Sequence, residues 1–301
     1  MTSHSLPAIV LVPGAFGAPA GFDKLAQHLR KAGFSTYPGP YPSHDPVDPS
    51  VATCERDIAF LRNNYLLPLL DKEQKDVVVV AHSYGGIVAG GAAKGLGKST
   101  RRQALGKATG VIGLVYIAGN ITSEGESLLQ AIGGAYPPFI KRHKPLSGVA
   151  LIEPAQEILY NDMDPEWAQE LGKRMKPHAM LAFQSPATAP AWADTAFDGR
   201  RAYVRTSDDC CNPPFLQDAW IQKTKVKWNV VNFKSGHMPF ESRPDALSEQ
   251  IVSFVDGFQA LEKSPEEIGP GERLKSEWDR FYLQLLFATV LIFSFCWLYW
   301  I

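Results

Sequence analysis

The chain has 301 residues, 45% of them hydrophobic, which is enough for the core of one large α/β domain or two small ones. Its 30 basic residues nearly balance its 31 acidic residues, so the composition predicts no electrostatic binding to nucleic acid. The 4 cysteines lack metal-ligand spacing, and residues 1–5 lack the charged-then-apolar order of a signal peptide. We therefore expect no bound metal and a reducing compartment for the folded domain.

Strands and helices alternate along most of the chain. Continuous apolar runs, often β-branched, predict buried strands, and longer amphipathic segments predict helices. In chain order the predicted elements are strand 8–12, helix 20–32, strand 34–37, helix 50–70, strand 77–81, helix 84–96, strand 111–118, strand 201–206 and strand 227–233. This order is typical of a mostly parallel sheet with helices on both faces, so the predicted fold class is α/β.

Residues 121–199 interrupt the alternation, because they contain no long β-branched run and only helix-like pieces such as 165–175. An insertion between two strands of the sheet is expected to form a helical lid over the carboxyl ends of the strands, where ligands bind in open parallel sheets. Such a lid narrows a pocket and excludes water. The alternative is a structural elaboration that does not contact a substrate.

Ser83 lies where a predicted buried strand turns into a predicted helix. The sequence AHSYG at 81–85 differs from the G-x-S-x-G pattern of a nucleophile elbow only at Ala81, which is also small. In such an elbow the serine hydroxyl stands above the sheet edge and the helix N-terminus points at the reacting atom. The alternative is an ordinary strand-to-helix turn.

A serine hydroxyl becomes an effective nucleophile only when a neighbouring base takes its proton. His237 follows the last predicted strand, at the same sheet edge as Ser83, and is therefore the predicted base. His82 adjoins Ser83, but neighbours on an extended segment point in opposite directions, so we expect His82 to pack beneath the site. Three further histidines lie in loop or lid and are candidates for substrate contact: His44, His143 and His178.

The acid that orients the base is expected at the end of the preceding strand. Asp208 and Asp209 both follow strand 201–206, and spacing alone does not choose between them. The chain order of Ser83, an aspartate and His237 is that of the α/β-hydrolases and differs from the orders in chymotrypsin and subtilisin.

Two backbone N–H groups are needed to bind the oxyanion that forms when a carbonyl is attacked. The N–H of Tyr84, directly after the serine, is one predicted donor. The glycine-containing loop 13–17 supplies the other, with Ala15 as first choice and Phe16 as second. No lysine follows this loop at P-loop spacing, so the loop does not predict phosphate binding.

These segments together resemble the α/β-hydrolase superfamily over residues 6–261, in particular its plant methylesterase and hydroxynitrile lyase branch and related fungal and bacterial hydrolases. The resemblance rests on LVPGAF at 11–16, AHSYGG at 81–86, NDMDPE at 161–166, YVRTSDD at 203–209 and GHMP at 236–239. It implies an α/β-hydrolase fold and a triad of Ser83, Asp209 and His237. In the family pattern the acid stands six residues after the strand tyrosine, which selects Asp209 over Asp208.

The first loop and the residue after the histidine distinguish esterases from lyases within this branch. Lyases carry a threonine and a lysine at these places, whereas this chain has Gly14 and Met238, as esterases do. Pro13 replaces a histidine that is usual in the family. We expect Phe16 and His82 to contribute to substrate binding.

Residues 281–301 contain no charged side chain. As a helix, this stretch would span about 31 Å, close to the hydrocarbon thickness of a bilayer. Basic residues precede it and none follows, which predicts a cytosolic domain before it. We therefore predict domain 1–261, a polar linker 262–280 and a C-terminal transmembrane anchor 281–301, with membrane localisation. The alternative is an apolar helix packed on the domain or on a partner.

The predicted function is hydrolysis of a carboxylic ester of a small or medium apolar substrate through an acyl-enzyme. The resemblance suggests natural-product metabolism as a setting and implies no cofactor or metal. The alternatives are a ligand-binding protein on the same fold, a tail-anchored scaffold, and a disfavoured hydroxynitrile lyase activity.

Overall fold

The computed structural model describes residues 6–262. Within this range the strands in chain order are β1 (Ala8–Val12), β2 (Thr36–Pro38), β3 (Val77–His82), β4 (Val111–Ile117), β5 (Ile140–Arg142), β6 (Val149–Ile152), β7 (His178–Ala179), β8 (Arg201–Thr206) and β9 (Asn229–Phe233). Six of them form one parallel sheet in the order β2-β1-β3-β4-β8-β9. Every residue of β3 is buried, and because successive side chains point to opposite faces, both faces of the sheet are covered there.

Helices join the strands of this sheet. The α-helices of the described chain are α1 (Asp23–Lys31), α2 (Cys54–Leu61), α3 (Gly85–Ala92), α4 (Lys98–Leu105), α5 (Leu128–Ala131), α6 (Ala155–Leu159), α7 (Pro165–Lys173), α8 (Met180–Gln184), α9 (Pro214–Lys223), α10 (Pro239–Ser242) and α11 (Pro244–Ala260). The helix predicted over 50–70 begins later, because the Thr53 side chain caps α2 by accepting a hydrogen bond from the Arg56 N–H. It continues as π-helical segments to Lys72.

The insertion between β4 and β8 differs from the predicted helical lid. It contains α5 to α8, but β5, β6 and β7 also form a three-stranded antiparallel sheet within it. These strands have only two to four residues, too few to produce the β-branched run by which a strand is recognised in a sequence. The insertion contacts the carboxyl edge of the main sheet, since the Asn161 side chain donates a hydrogen bond to the Asp208 carbonyl after β8.

The predicted C-terminal transmembrane helix over 281–301 lies outside the described residues. Across residues 6–262, no helix is long and apolar enough to cross a bilayer. The longest α-helix of the described residues, α11, has 17 residues and therefore measures about 26 Å, less than the roughly 30 Å of a hydrocarbon core. It also exposes charged side chains such as Glu249 and Asp256. This finding contradicts the predicted fold with a membrane-spanning helix. It also contradicts the predicted membrane localisation with a cytosolic catalytic domain.

Candidate active site

Ser83 occupies a strained turn between β3 and α3. Its φ is +50°, a left-handed conformation that is uncommon for a residue with a side chain. Neighbouring backbone holds the turn, because the Ser83 N–H donates to the Ile117 carbonyl at 3.1 Å and the Asn120 N–H donates to the Ser83 carbonyl at 2.9 Å. A Cβ added to Gly85 would lie 2.5 Å from the Pro13 carbonyl oxygen, so the turn requires glycine there. This geometry is typical of a nucleophile elbow.

His237 follows β9, and a buried carboxylate binds its ring. The Nδ1 atom donates to Asp209 Oδ2 over 2.8 Å. Three donors hold Asp209 in turn: the Thr206 hydroxyl on Oδ2, and the N–H groups of Cys211 and Asn212 on Oδ1, each at 2.8 Å. Since a carboxylate only accepts hydrogen bonds, Nδ1 carries a ring hydrogen, and Nε2 is the nitrogen through which a neutral ring can accept a proton.

The neighbouring Asp208 does not share this position. Asp208 is exposed, and its carboxylate accepts a hydrogen bond from the Ser207 hydroxyl at 3.1 Å. The residue that contacts His237 is therefore Asp209, the aspartate that the family resemblance selects.

Burial and the neighbouring acidic groups act in opposite directions on the pKa of His237. Burial by itself lowers the pKa of this imidazole, but the Asp209 carboxylate and Cys211 raise it, and the net pKa lies well above the usual value for histidine. A buried carboxylate beside an imidazole stabilises the imidazolium that forms when the ring accepts a proton.

His82 lies beneath His237, as the extended strand predicts. Its ring centroid is 4.5 Å from that of His237, and its Nε2 atom donates to the His237 carbonyl at 2.9 Å. Burial, and to a lesser degree His237, keep the pKa of His82 well below its usual value, so the ring is neutral. His82 therefore positions the histidine loop, and its ring also lines a pocket described below.

The loop after β1 packs directly on the elbow. A Cβ added to Gly14 would lie 2.9 Å from Ser83 Cβ and 2.6 Å from His82 Nδ1, so only glycine allows this approach. Among residues 6–262, no acceptor is hydrogen-bonded to the N–H of Ala15 or of Tyr84. By contrast, the Phe16 N–H donates a long hydrogen bond of 3.5 Å to His178 Nδ1. Within the described residues, the N–H of Ala15, the first predicted donor, has no hydrogen-bond acceptor, whereas that of Phe16, the second, donates to His178.

Two pockets share Ala15 in their linings. The larger has an empty volume of about 910 Å³ between the insertion and the loop after β8. Its lining is mainly apolar and aromatic: Ala15, Phe16, Asn120, Leu128, Ile132, Tyr136, Pro137, Phe139, Ile140, Phe183, Cys210, Cys211, Asn212, Pro213 and Leu216. The smaller has an empty volume of about 640 Å³ and is lined by residues of the loop 13–22, by His82, by the insertion and by α10.

The remaining candidate histidines have different positions. His178 is fully buried, whereas His143 is exposed in the insertion. His44 pairs with His178 through an isolated bridge between their backbones. Sequence reasoning missed Ser43 and Asp57, which are buried polar residues next to His178. The only local signal was an aspartate within an otherwise apolar helix face, at Asp57.

A six-stranded parallel sheet with a serine elbow, and with an aspartate and a histidine after its last two strands, defines the class of α/β-hydrolases. Residues 9–250 match the alpha/beta hydrolase family, and the chain belongs to this family.

Similar proteins come from fungi, bacteria and plants. The alpha/beta hydrolase nvfD of Aspergillus novofumigatus is 25% identical over 247 residues, which cover 81% of this chain and 95% of that protein. A carbendazim hydrolyzing esterase of a Nocardioides species is 24% identical over 261 residues, or 81% of this chain and 98% of the esterase. The methylesterase MES16 from Arabidopsis shares the fold, with a TM-score of 0.59, 19% identity and coverage of 83% and 99%. The resemblance inferred from the sequence is therefore confirmed.

Proposed function

We propose that the protein is a serine esterase that hydrolyses a carboxylic ester of a small or medium apolar molecule. The observation that carries the proposal is the buried Asp209–His237 pair, which follows β8 and β9 at the same sheet edge as the turn of Ser83, whose φ is +50°. The relatives support the reaction class, because one is named as an esterase and another as a methylesterase.

In the proposed mechanism, His237 Nε2 takes the hydroxyl proton of Ser83 while Ser83 Oγ attacks the ester carbonyl. The backbone N–H groups of Ala15 and Tyr84 bind the oxyanion. As the tetrahedral intermediate collapses, the imidazolium gives its proton to the leaving alcohol, and an acyl-enzyme remains. Water then repeats the attack with His237 as base, which releases the acid and frees Ser83. Asp209 keeps Nδ1 protonated throughout and stabilises the charged ring.

The pockets support an apolar substrate. Aromatic and aliphatic side chains dominate the larger pocket, and burial of apolar surface is the main driving force for binding there. Because both pockets border Ala15, an ester carbonyl bound at this residue has room for its acyl part on one side and its alcohol part on the other.

Reaction with a fluorophosphonate probe tests the proposal. We expect one covalent adduct per chain by intact mass, located on Ser83 by peptide mapping and absent from Ser83→Ala. The labelled protein should also lose the ability to hydrolyse p-nitrophenyl butyrate. Ser248→Ala is a matched control, because Ser248 is a buried serine in α11 whose hydroxyl bonds the Asp245 carbonyl, and it should label like the natural protein. A folded protein without an adduct would contradict the esterase proposal and favour a ligand-binding role on the same fold.

A further inference from the structure

Three buried polar side chains lie behind the loop after β1, outside the proposed triad. Ser43, Asp57 and His178 are each 0% exposed, so none can reach a substrate. They come from the loop after β2, from α2 and from β7 of the insertion. Together with Tyr84 we call them the buried carboxylate network.

Asp57 is the centre of this network. Its Oδ1 accepts from the Ser43 N–H at 3.0 Å, and its Oδ2 accepts from the hydroxyls of Ser43 and Tyr84, the latter at 2.7 Å. No lysine or arginine of the described chain forms an ion pair with it. Burial raises the pKa of Asp57 to about 6, against the opposing effect of these hydrogen bonds. Burying a carboxylate without a neighbouring cation costs desolvation free energy, which indicates a role for Asp57 beyond packing.

The hydrogen bonds at His178 run in one direction. The Phe16 N–H can only donate, so His178 Nδ1 is the acceptor and Nε2 carries the hydrogen. Nε2 lies 2.9 Å from Ser43 Oγ, and the Ser43 hydroxyl is donated to Asp57. The series of hydrogen-bond donors therefore begins at Phe16 in the loop after β1 and ends at the Asp57 carboxylate. This direction requires a neutral His178, and burial, with a smaller effect of His44, keeps the pKa of His178 well below its usual value.

One branch of the network ends at a residue that carries a proposed oxyanion donor, and the other ends at the neighbour of such a residue. One branch holds the hydroxyl of Tyr84, whose own N–H is a proposed donor. The other holds the backbone of Phe16, the neighbour of Ala15, in a left-handed conformation with φ of +66°. Tyr41 adds a third support, because its hydroxyl donates to the carbonyls of Pro13 and Gly14.

We propose that Asp57 is a positioning residue that aligns both oxyanion donors, through Tyr84 on one side and through Ser43 and His178 on the other. This inference rests on the proposed esterase function. Stabilisation of an oxyanion depends on the place of its donors, and a displacement of about 1 Å lowers a rate by up to about 100-fold.

Two single substitutions test the role of the network. In Asp57→Asn, one carboxylate oxygen becomes an amide nitrogen that can only donate, so either the hydroxyls of Ser43 and Tyr84 lose their shared acceptor or the nitrogen faces the Ser43 N–H. In Ser43→Ala, the branch to His178 is cut while Asp57 and Tyr84 stay in contact. Ser248→Ala removes the hydroxyl of a buried serine in α11 that bonds the Asp245 carbonyl and none of the network, and it serves as the control. Tyr84→Phe is available as a milder change of the other branch if Asp57→Asn does not fold.

The measurements are kcat and KM with p-nitrophenyl butyrate, and the inhibition constant of an alkyl trifluoromethyl ketone. Ser83 would add to this ketone to form a tetrahedral oxyanion, so its affinity reports the alignment of the donors. We expect Asp57→Asn and Ser43→Ala to lower kcat about 10- to 100-fold, to leave KM within about twofold, and to weaken the ketone by the same factor as kcat/KM. Ser248→Ala should change none of these values.

Folded variants that keep the natural kcat and ketone affinity would overturn the positioning role, and so would a loss confined to KM. Failure of the esterase proposal can be told apart from failure of this inference, because only the former would leave the natural protein without a fluorophosphonate adduct. An adduct on Ser83 together with unaffected variants would defeat only the inference about Asp57.

Discussion

The ring and backbone of His237 are each held by a different partner. Asp209 accepts from Nδ1, while His82 donates to the carbonyl of the same residue. Asp209 itself has its remaining lone pairs filled by Thr206 and by two backbone N–H groups. Asp209 is thus fixed in a buried, fully hydrogen-bonded site that the exposed Asp208 does not share.

Substitution of the two adjacent aspartates tests this assignment. We expect Asp209→Asn to lower kcat about 10³- to 10⁴-fold, because an amide in this place favours the wrong tautomer of His237. Asp208→Asn should leave kcat within about twofold, since its exposed carboxylate accepts a hydrogen bond from the Ser207 hydroxyl and none from His237. Steady-state hydrolysis of p-nitrophenyl butyrate and the rate of fluorophosphonate labelling both report the effect. The opposite order of the two variants would show that the acid is Asp208.

The raised pKa of Asp57 makes stability depend on pH. Its folded pKa of about 6 exceeds the usual 3.8 of an aspartate, so its contribution to the free energy of unfolding is complete below about pH 4 and is lost as the pH rises through 6. The buried neighbours Tyr41, Cys54 and Tyr84 do not ionise in this range, because burial raises the pKa of each.

Urea unfolding between pH 4 and pH 7 measures this effect in the natural protein and in Asp57→Asn. We expect the free energy of unfolding of the natural protein to fall relative to that of the variant as the pH rises, by at most about 3 kcal/mol. A constant difference over this interval would show that Asp57 does not titrate there.

At the scale of elements, the elbow depends on how closely β1, β3 and α3 approach. Gly85 lies against the carbonyls that follow β1, and Gly86 lies against the Asn120 backbone, where an added Cβ would be 2.6 Å from the carbonyl oxygen. The predicted pattern of small residues around Ser83 therefore has a steric cause in the contact between two loops.

Alanine substitution measures this requirement. Gly85→Ala places a methyl group against backbone that cannot move without displacing the loop that holds Ala15, so we expect kcat/KM to fall at least about tenfold and the unfolding midpoint to drop. Gly257→Ala in α11 is the control, because nothing lies within 4 Å of its added Cβ. It should stabilise the protein by up to about 1 kcal/mol, as expected for alanine within a helix. Equal effects of the two changes on activity would argue against a steric role for Gly85.

At the scale of the whole molecule, the insertion and the sheet edge together make the two pockets. Leu216 in α9 lines the larger pocket, and Met175 in the insertion lines the smaller one. Neither residue belongs to the proposed triad or to the oxyanion donors. The pockets are therefore separable by substitution.

A tryptophan that fills one pocket should lower activity towards esters with a long acyl part, and a tryptophan in the other pocket towards esters with a bulky alcohol part. We expect Leu216→Trp and Met175→Trp each to lower kcat/KM about tenfold or more for esters that are long on one side of the carbonyl, with p-nitrophenyl acetate little affected. One variant should discriminate against long acyl chains and the other against bulky alcohols. Paired series of p-nitrophenyl alkanoates and alkyl acetates measure this. The same selectivity in both variants would show that only one pocket receives the substrate.

Much of the main sheet and its elbow was predictable from local sequence. The valines of β3 and the small residues after it are contiguous, and backbone sterics act over only a few residues. The short strands of the insertion were not predictable, because β7 has two residues and is stabilised by pairing with β6 rather than by its own sequence. Its His178 appeared only as a general candidate for substrate contact.

By itself, the sequence determined the parallel order of strands and helices, the place of Ser83 at a strand end, and a histidine and two aspartates at the same edge. These follow from side-chain periodicity and from the common direction of parallel strands. Only the tertiary structure brought Asp209, which the family resemblance already favoured, against His237, 28 residues away, and joined Ser43 to His178 across 135 residues. Such contacts depend on which polar groups packing removes from water, and burial on this scale is a property of the assembled chain rather than of any segment.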